Sequence, residues 1–296
     1  TSRSKRRLGL ETYEEICKMI TAITTFHKEG LDLYGQRFLD SFANNVDKQV
    51  KLIVYAEECS PNNPDPEQIT ILPQKNLTNL IKFKNKWKDV PKANGKCPFP
   101  ERRPRDYHKE FKWDAIRFAN KTYAVFETFK SALTKWVVWI DADTFVHSPI
   151  SYKQFEDLLP NDKWITFVGR GRGTQTWPEC GFYGLNRTSI TCKKFMKEFE
   201  DMYENADTGI FTLDEWHDSF VFGYILKKLA IIDKSYHDYS KNIYNKTAKT
   251  GGGGHPLINS ELGKYFDHMK GARKTQRKSA KKDLMQQRKE KYWNEI

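Results

Sequence analysis

Apolar runs and segments of helical periodicity alternate through the first half of the chain. Continuous apolar runs at Met19–Phe26 and Val50–Glu58 predict two buried strands, and residues 67–74 predict a third. Apolar positions at helical spacing over residues 30–46 and Phe111–Leu133 predict helices. Strands without polar alternation belong to a sheet that is covered on both faces.

The sequence WVVWIDAD, residues 136–143, carries five apolar residues directly into two aspartates. With the alternation that precedes it, this run predicts an α/β fold, in which helices sandwich a mixed, mostly parallel, Rossmann-like sheet. Ligands of such sheets bind at the carboxyl ends of the strands, which is where Asp141 and Asp143 are predicted to lie.

The second half of the chain is less regular. Its pattern predicts strands over residues 163–171 and at Cys180–Asn186, and helices over 152–160, 187–205 and Asp214–Leu229. Acidic residues open the last of these helices, as is typical of helix N-termini. The glycine-rich residues 244–263 predict a flexible segment.

Positive charge is concentrated at the two ends of the chain. Residues 1–7 contribute +4 and residues 270–296 contribute +7 of the net charge of +12, which leaves +1 for the rest. We therefore predict a basic N-terminal extension (1–18), one α/β domain (19–275) and a basic C-terminal helix or tail (276–296). Such a tail is either a solvated end or an electrostatic arm for phosphate-rich partners.

The sequence predicts neither membrane insertion nor secretion. No apolar run approaches the length of a helix that crosses a bilayer, and no apolar region follows the basic start TSRSKRRLGL. The five cysteines form an odd set without a close pair, which is typical of reduced thiols rather than of a disulfide framework or a zinc site. We expect a cytoplasmic protein, and the sequence leaves its oligomeric state open.

Asp141 and Asp143 lie two residues apart at a predicted strand end, so an extended backbone directs both carboxylates to one face. Two hard oxygen ligands on one face suit Mg²⁺ or Mn²⁺ bound together with substrate phosphates. Taken alone, the pair is equally consistent with a strand-ending turn that carries two solvated acids.

A second cluster lies 125 residues further on, where His268, Gly271 and Lys274 fit the pattern H-x-x-G-x-x-K. The imidazole would complete a metal site begun by the aspartates. Glycine would let the backbone approach a diphosphate, and the lysine would neutralise its charge. A D-x-D after a buried strand followed by this motif seldom arises by chance.

With both clusters in place, the sequence resembles the GT-A-fold glycosyltransferases, most closely the family of glycogenin and of bacterial lipopolysaccharide galactosyl- and glucosyltransferases. The resemblance implies a Mn²⁺ (or Mg²⁺) ion held by Asp141, Asp143 and His268, and a UDP-sugar as the donor. It also implies that the sugar is transferred with retention of its anomeric configuration.

The same resemblance assigns further residues to the donor. Ala142, Gly271 and Lys274 would adjoin the metal and the diphosphate. The nucleobase and ribose would border the ends of the first two strands, at Thr24, Thr25, Phe26, Tyr55 and Glu57. In the helix before the D-x-D, a basic residue would face the diphosphate, and of Arg117 and Lys121 we favour Lys121.

Two segments resemble the family's sugar pocket. ECGFYGLN resembles its stretch of small residues, with Glu179, Cys180 and Gly181 at the lip. DEWHDSFVF resembles its acidic segment, where Asp218 would contact the sugar beside His217. This segment also resembles the WHDE segment of blood-group-type transferases, but Ser219 replaces their glutamate, which puts a covalent nucleophile here in doubt. Asp218, Lys121 and Glu179 are the candidate catalytic residues.

The acceptor is predicted from charge. Basic residues that follow Lys274 would adjoin the active site and favour a polyanion through counterion release. This favours DNA, for instance a hydroxymethylated base in a viral genome that leaves the stack to be modified. A glycan, a protein or a lipid-linked molecule is the alternative acceptor.

Two other functions compete with glycosyl transfer. One is a non-catalytic nucleic-acid-binding protein, which would bind DNA without affinity for a sugar nucleotide. The other is a nucleotidyltransferase with the same kind of metal site, which the sequence disfavours because it has no glycine-rich phosphate loop near the N-terminus.

Overall fold

The computed structural model describes residues 20–170, 177–241, 255–285 and 287–295, which contain nine strands and nine helices joined by turns and short 3-10 segments. The strands are β1 (Ile20–His27), β2 (Val50–Glu57), β3 (Ile69–Pro73), β4 (Trp136–Ile140), β5 (Thr144–Val146), β6 (Ile165–Val168), β7 (Glu179–Asn186), β8 (Tyr236–Asp238) and β9 (Phe266–His268). The predicted N-terminal extension 1–18 and residues 242–254 of the glycine-rich segment lie outside these ranges.

The helices connect the strands in chain order. The first, α1, runs continuously through Lys28–Gly30, the π-helical turn Leu31–Gly35 and Gln36–Asn45. The others are α2 (Thr78–Trp87), α3 (Ala115–Ser131), α4 (Tyr152–Asp157), α5 (Ile190–Glu204), α6 (Asp218–Ile232), α7 (Pro256–Asn259), α8 (Arg273–Gln276) and α9 (Lys291–Asn294). None of the described helices is long and apolar enough to cross a membrane.

Seven strands form one sheet in the order β3-β2-β1-β4-β7-β6-β8. The pairs β1–β2, β1–β4, β2–β3 and β6–β8 are parallel, whereas β7 is antiparallel to β4 and β6. Apolar side chains of α2, α3, α5 and α6 cover one face, and those of α1, α4, α7 and α9 cover the other. The predicted α/β fold with a mixed, mostly parallel sheet is confirmed.

The apolar run of β4 is explained by this double cover. Val137 and Trp139 pack into the core on one face, and Trp136, Val138 and Ile140 pack into the core on the other. All five side chains are buried, so no position in the strand is left for a polar residue.

Three helices begin later than the periodicity predicts, because capping groups define their first turns. The helix α5 starts after Ser189, whose hydroxyl accepts the Cys192 N–H at 3.3 Å. The helix α3 starts after Asp114, whose side chain accepts the Arg117 N–H at 3.0 Å. The helix α6 starts after His217, whose Nδ1 accepts the Phe220 N–H at 3.3 Å. The acidic Asp214 therefore precedes α6 rather than opening it.

A second, two-stranded sheet brings the two sequence motifs together. Strands β5 and β9 pair antiparallel, which places Thr144 opposite His268. The Met269 N–H also donates to the Asp143 carbonyl at 2.8 Å. This pairing brings the H-x-x-G-x-x-K motif to the carboxyl end of β4.

The C-terminal segment packs against the domain rather than extending from it. Trp293 is 4% exposed, and its indole N–H donates to the Gly263 carbonyl at 2.6 Å. The buried Arg288 guanidinium donates to the Ile258 and Ser260 carbonyls, both at 2.9 Å. Part of the predicted basic tail is therefore internal structure.

Candidate active site

Asp141, Asp143 and His268 converge at the carboxyl end of β4. His268 Nε2 lies 3.1 Å from Asp143 Oδ1 and 3.4 Å from Asp141 Oδ2. One ligand atom from each residue lies within 4.8 Å of the other two, which is the spacing that a single bound cation requires. The D-x-D and the distant histidine therefore form one cluster, as the sequence predicts.

Lys121 of α3 fixes the orientation of Asp141. Its ammonium lies 3.0 Å from Asp141 Oδ1 and 2.8 Å from Asp218 Oδ2, and it also donates to the Cys180 carbonyl. The Trp139 indole N–H donates to the same Asp141 oxygen at 2.6 Å. Asp141 Oδ2 is left facing His268.

Opposite charges keep the two aspartates ionised. Burial acts to raise the pKa of Asp141, but the Lys121 ammonium and His268 outweigh burial and hold that pKa below its usual range. Burial likewise opposes ionisation of Asp143, whose pKa His268 and Lys274 lower. For His268, burial favours the neutral ring, but Asp143 and Asp141 raise its pKa to about 10.

Glu179 lies behind the imidazole. Its Oε1 is 3.8 Å from His268 Nδ1, an atom that makes no hydrogen bond to any described residue. Lys270 contacts both carboxylate oxygens, at 3.0 and 3.1 Å. Burial opposes ionisation of Glu179, but Lys270 and the neighbouring histidines lower its pKa to about 2. An ionised carboxylate therefore faces the Nδ1 edge of the ring.

Gly181 leaves the space that the His268 ring occupies. A Cβ atom at this position would lie 2.5 Å from His268 Cε1 and 2.7 Å from Nδ1. The glycine of ECGFYGLN is therefore required by the histidine beside it. It does not line the cavity in which a donor sugar would sit.

The remaining members of the H-x-x-G-x-x-K motif close the same side of the site. Gly271 has φ +65°, in the left-handed region that favours glycine, and no atom lies within 4 Å of where its Cβ would be. Lys274 Nζ lies 3.0 Å from Asp143 Oδ2 and 4.8 Å from the centroid of the Tyr34 ring. Burial and the two aspartates raise the pKa of Tyr34 to about 12, so it stays neutral.

A cavity of about 900 Å³ opens beside the cluster. It is lined by most of the sequence-predicted site residues, namely Thr25, Phe26, Glu57, Arg117, Lys121, Asp141, Ala142, Asp143, Glu179, Cys180, His217, Asp218, His268, Gly271 and Lys274. Pockets for a single small ligand usually measure ~300–1,000 Å³. The cavity is therefore large enough for a nucleotide sugar.

Thr24 and Tyr55 lie away from this cavity. Both are buried, and the Tyr55 hydroxyl exchanges a hydrogen bond with Thr128 at 3.2 Å inside the core. Side chains alternate along a strand, so Thr25 faces the cavity where Thr24 does not. The Thr25 hydroxyl donates to the Tyr55 carbonyl at 2.6 Å.

Several cavity residues were missed by the sequence reasoning. Trp139 lies two residues before Asp141 and therefore on the same strand face, a relationship that the two-residue periodicity of a strand predicts from the sequence. Lys270 lies inside the second motif, at a position that the motif leaves unspecified. Tyr34, Asn120 and Arg170 also line the cavity, and they carry no local signal because only the fold brings them there.

Comparison with known proteins identifies no family for this chain. No protein-family model matches the sequence, and no curated protein matches it. Among solved structures, the chain is similar to the bifunctional glycosyltransferase WbbM in its apo form, with 13% identity over 75% of this chain and 39% of WbbM and a TM-score of 0.39.

It is also similar to two structures of the glycosyltransferase GlyE from Streptococcus pneumoniae TIGR4. Identity is 10% in one and 8% in the apo form, with TM-scores of 0.40 and 0.42, each over 79% of this chain and 49% of GlyE. The chain thus spans less than half the length of any of these structures. At these scores the similarities carry no argument, and the function is argued from the site.

Proposed function

We propose that this protein is a divalent-metal-dependent glycosyltransferase, which moves a sugar from a UDP-sugar to a hydroxyl acceptor with retention of configuration. One observation supports this most: two aspartates after a buried strand meet His268 and Lys274 at the wall of a nucleotide-sized cavity. In this arrangement a cation site and a fixed ammonium would lie side by side, as departure of a nucleoside diphosphate requires.

The donor set fits Mn²⁺ or Mg²⁺. Two carboxylate oxygens and one imidazole nitrogen lie within 4.8 Å of one another, and imidazole suits Mn²⁺ better than Mg²⁺. When bound, such an ion neutralises the charge that develops on the leaving diphosphate. Glu179 supports this assignment because an ionised carboxylate 3.8 Å from Nδ1 favours a proton on that nitrogen, which would leave Nε2 to bind the metal.

The protein's own cations divide into two roles. Lys274 lies at the cavity wall, where its ammonium would donate to the diphosphate as Gly271 lets the backbone approach. Lys121 is held by Asp141, Asp218 and a carbonyl, so we assign it to orienting those carboxylates. The exposed Arg117 then takes the diphosphate role for which the sequence favoured Lys121.

Asp218 is the carboxylate that we assign to the donor sugar. It lies at the start of α6, in the cavity wall, with one oxygen 2.8 Å from Lys121. The pairing keeps this buried side chain in one orientation, so it can accept hydrogen bonds from sugar hydroxyls. The base end of the donor would lie near Thr25, Phe26 and Glu57.

The proposal is tested by thermal shift and donor turnover. We expect UDP and Mn²⁺ together to raise the melting temperature more than either alone, and UDP-sugars to be hydrolysed only with the metal. Asp143→Ala should abolish both effects, whereas Asp207→Ala, an exposed acid far from the motifs, should abolish neither. Metal-dependent turnover that persists in Asp143→Ala would refute the assignment.

DNA as the acceptor rests on the charge of the C-terminal segment. Arg288 is buried and paired with Glu290, so it offers nothing to a polyanion, while Arg277, Lys281, Lys282 and Lys289 are exposed. Because this segment packs into the domain, its deletion would change the stability of the fold as well as the affinity for DNA. Replacing Lys281, Lys282 and Lys289 with Glu tests the idea directly: unchanged affinity for duplex DNA would exclude it.

A further inference from the structure

Four aromatic side chains surround His217 at the mouth of the cavity. Phe111 and Phe118 have ring centroids 5.8 and 5.9 Å from the His217 ring, and Trp177 and Phe220 lie 6.2 and 6.1 Å away. We call Phe111, Phe118, Trp177 and Phe220 the aromatic collar. They come from three separate segments, so the fold alone assembles the group.

Two members of the collar show apolar surface to solvent in the cavity wall. Phe111 is 45% exposed and Trp177 is 38% exposed, although both line the cavity. Large aromatic surface left open within a pocket marks a ligand contact, because covering it releases water at little conformational cost. The collar therefore has a use beyond stabilising the fold.

His217 is 5% exposed and supports the collar from behind. Its Nε2 donates to Glu215 at 3.0 Å, and its Nδ1 accepts the Phe220 N–H. Both nitrogens are thus occupied within the protein. A ligand would therefore contact the exposed collar rings, which His217 holds apart.

The collar is held in place by contacts between the Trp177 segment and the start of α6. The Ser219 hydroxyl donates to the Pro178 carbonyl, which ties the Trp177 segment to the start of α6. A Cβ at Gly223 would lie 2.7 Å from Trp177 Cα, so the two segments are in close contact. A collar that is ordered before binding loses little conformational entropy when a ligand binds.

The collar also adjoins the proposed reaction centre. Asp218 follows His217 directly, and it contacts Lys121, which contacts Asp141. A molecule stacked on the collar would reach the same cavity as the donor sugar. The collar is therefore placed to position the acceptor.

We propose that the aromatic collar and His217 form an acceptor subsite that binds a pyranose ring. This inference rests on the proposed function and specifies its acceptor. A pyranose has a face of C–H bonds, which packs on aromatic rings, and an edge of hydroxyls, one of which would face the donor sugar beside Asp218.

Two observations favour a pyranose over a nucleic-acid base. The ring planes of the contacting pairs are inclined by 44° to 79°, so they form no parallel slot for a flipped base. Two of the cations near His217 are neutralised: Lys112 lies 2.9 Å from Glu215, and Arg103 lies 3.2 Å from Glu215 and 3.5 Å from Asp214. Neither is free to attract phosphates.

The test measures UDP release from UDP-glucose and UDP-galactose with Mn²⁺. Methyl glucopyranoside, methyl galactopyranoside, maltose or a duplex oligonucleotide containing 5-hydroxymethylcytosine is added as the acceptor. We expect at least one pyranoside to accelerate release. Phe111→Ala and Trp177→Leu should raise the KM for that pyranoside about tenfold or more, whereas Trp177→Phe should restore most of the loss.

Tyr224→Ala provides the matched control, because Tyr224 is an equally exposed aromatic outside the cavity. It should change neither the KM for the pyranoside nor the KM for the UDP-sugar. The inference is overturned if no pyranoside accelerates UDP release, if only the oligonucleotide does, or if the collar variants leave the acceptor KM unchanged. Absence of any metal-dependent UDP-sugar turnover in the unmodified protein would instead refute the proposed function.

Discussion

The imidazole of His268 lies 3.1 Å from the carboxylate of Asp143, although 125 residues separate them in the chain. Pairing of β5 with β9 creates this contact, and Gly181 leaves room for the ring. The candidate metal site therefore depends on a short strand pair and a missing side chain as well as on its three ligands. The following predictions address these supports.

Gly181→Ala should displace His268, because the new methyl group would lie 2.5 Å from Cε1. Mn²⁺ affinity, measured by electron paramagnetic resonance, should fall about tenfold or more while the fold persists. His268→Ala provides the reference. If the loss acts through the histidine, adding Gly181→Ala to His268→Ala should cause no further loss. Additive losses would contradict this account.

Glu179→Gln should weaken Mn²⁺ binding, because it removes the negative charge that lies 3.8 Å from His268 Nδ1 and favours a proton on that nitrogen. Loss of such a supporting partner typically costs ~10–100-fold in metal affinity. Titration calorimetry with Mn²⁺ measures the effect without requiring turnover. Glu198→Gln, which alters a surface pair with Lys228, is the control and should bind normally. Equal affinities in all three proteins would exclude the supporting role.

Lys121→Met should destabilise the fold, because it leaves two buried carboxylates without their shared cation. Breaking a buried pair in this way costs ~3–5 kcal/mol. Urea unfolding measures the change in the free energy of unfolding. In the double variant with Asp218→Asn, part of that loss should be recovered since one of the charges is removed. A double variant less stable than Lys121→Met would contradict the arrangement.

Acidification should destabilise the domain through His147, which stacks on Tyr292 with ring centroids 4.2 Å apart. Burial lowers the pKa of His147 to about 4, below its unfolded value of ~6.5. The unfolded chain therefore binds the proton more readily, so stability falls as the pH drops through 6.5 towards 4. At pH 5.5 the loss should be about 1 kcal/mol relative to neutral pH.

The matched variant for this pH effect is His147→Gln, which cannot titrate in that range. Urea unfolding at pH 7.5 and 5.5 should show a smaller loss in the variant than in the unmodified protein. Identical losses would assign the acid sensitivity to other groups.

Trp293→Ala should destabilise the whole domain, since its indole is buried against the core beside β9. Truncation of a buried aromatic costs ~3–5 kcal/mol. Calorimetry should show one transition at a lower temperature. Lys289→Ala, an exposed neighbour in the same segment, should leave that temperature unchanged. A normal melting temperature in Trp293→Ala would show that the segment is dispensable.

Local pattern was enough to predict six of the seven strands of the main sheet, but not the edge strand β8. The apolar run of Trp136–Ile140 and its exit into Asp141 reflect burial on both faces, a property that each residue carries in its own side chain. The two motifs were also visible, because their spacing is short. Helix starts were predicted less well. The helix α6 begins after His217, whose side chain caps it, so Asp214 lies before the helix.

The sequence by itself therefore determined the fold class, the D-x-D at a strand end and the motif around His268. Tertiary structure alone decided that these two motifs meet, that Lys121 is held by carboxylates, and that Trp293 belongs to the core. It also assembled the aromatic collar from three segments. The physical reason is that periodicity reports which way a side chain faces within its own element, whereas contacts between distant elements arise only from strand pairing and packing.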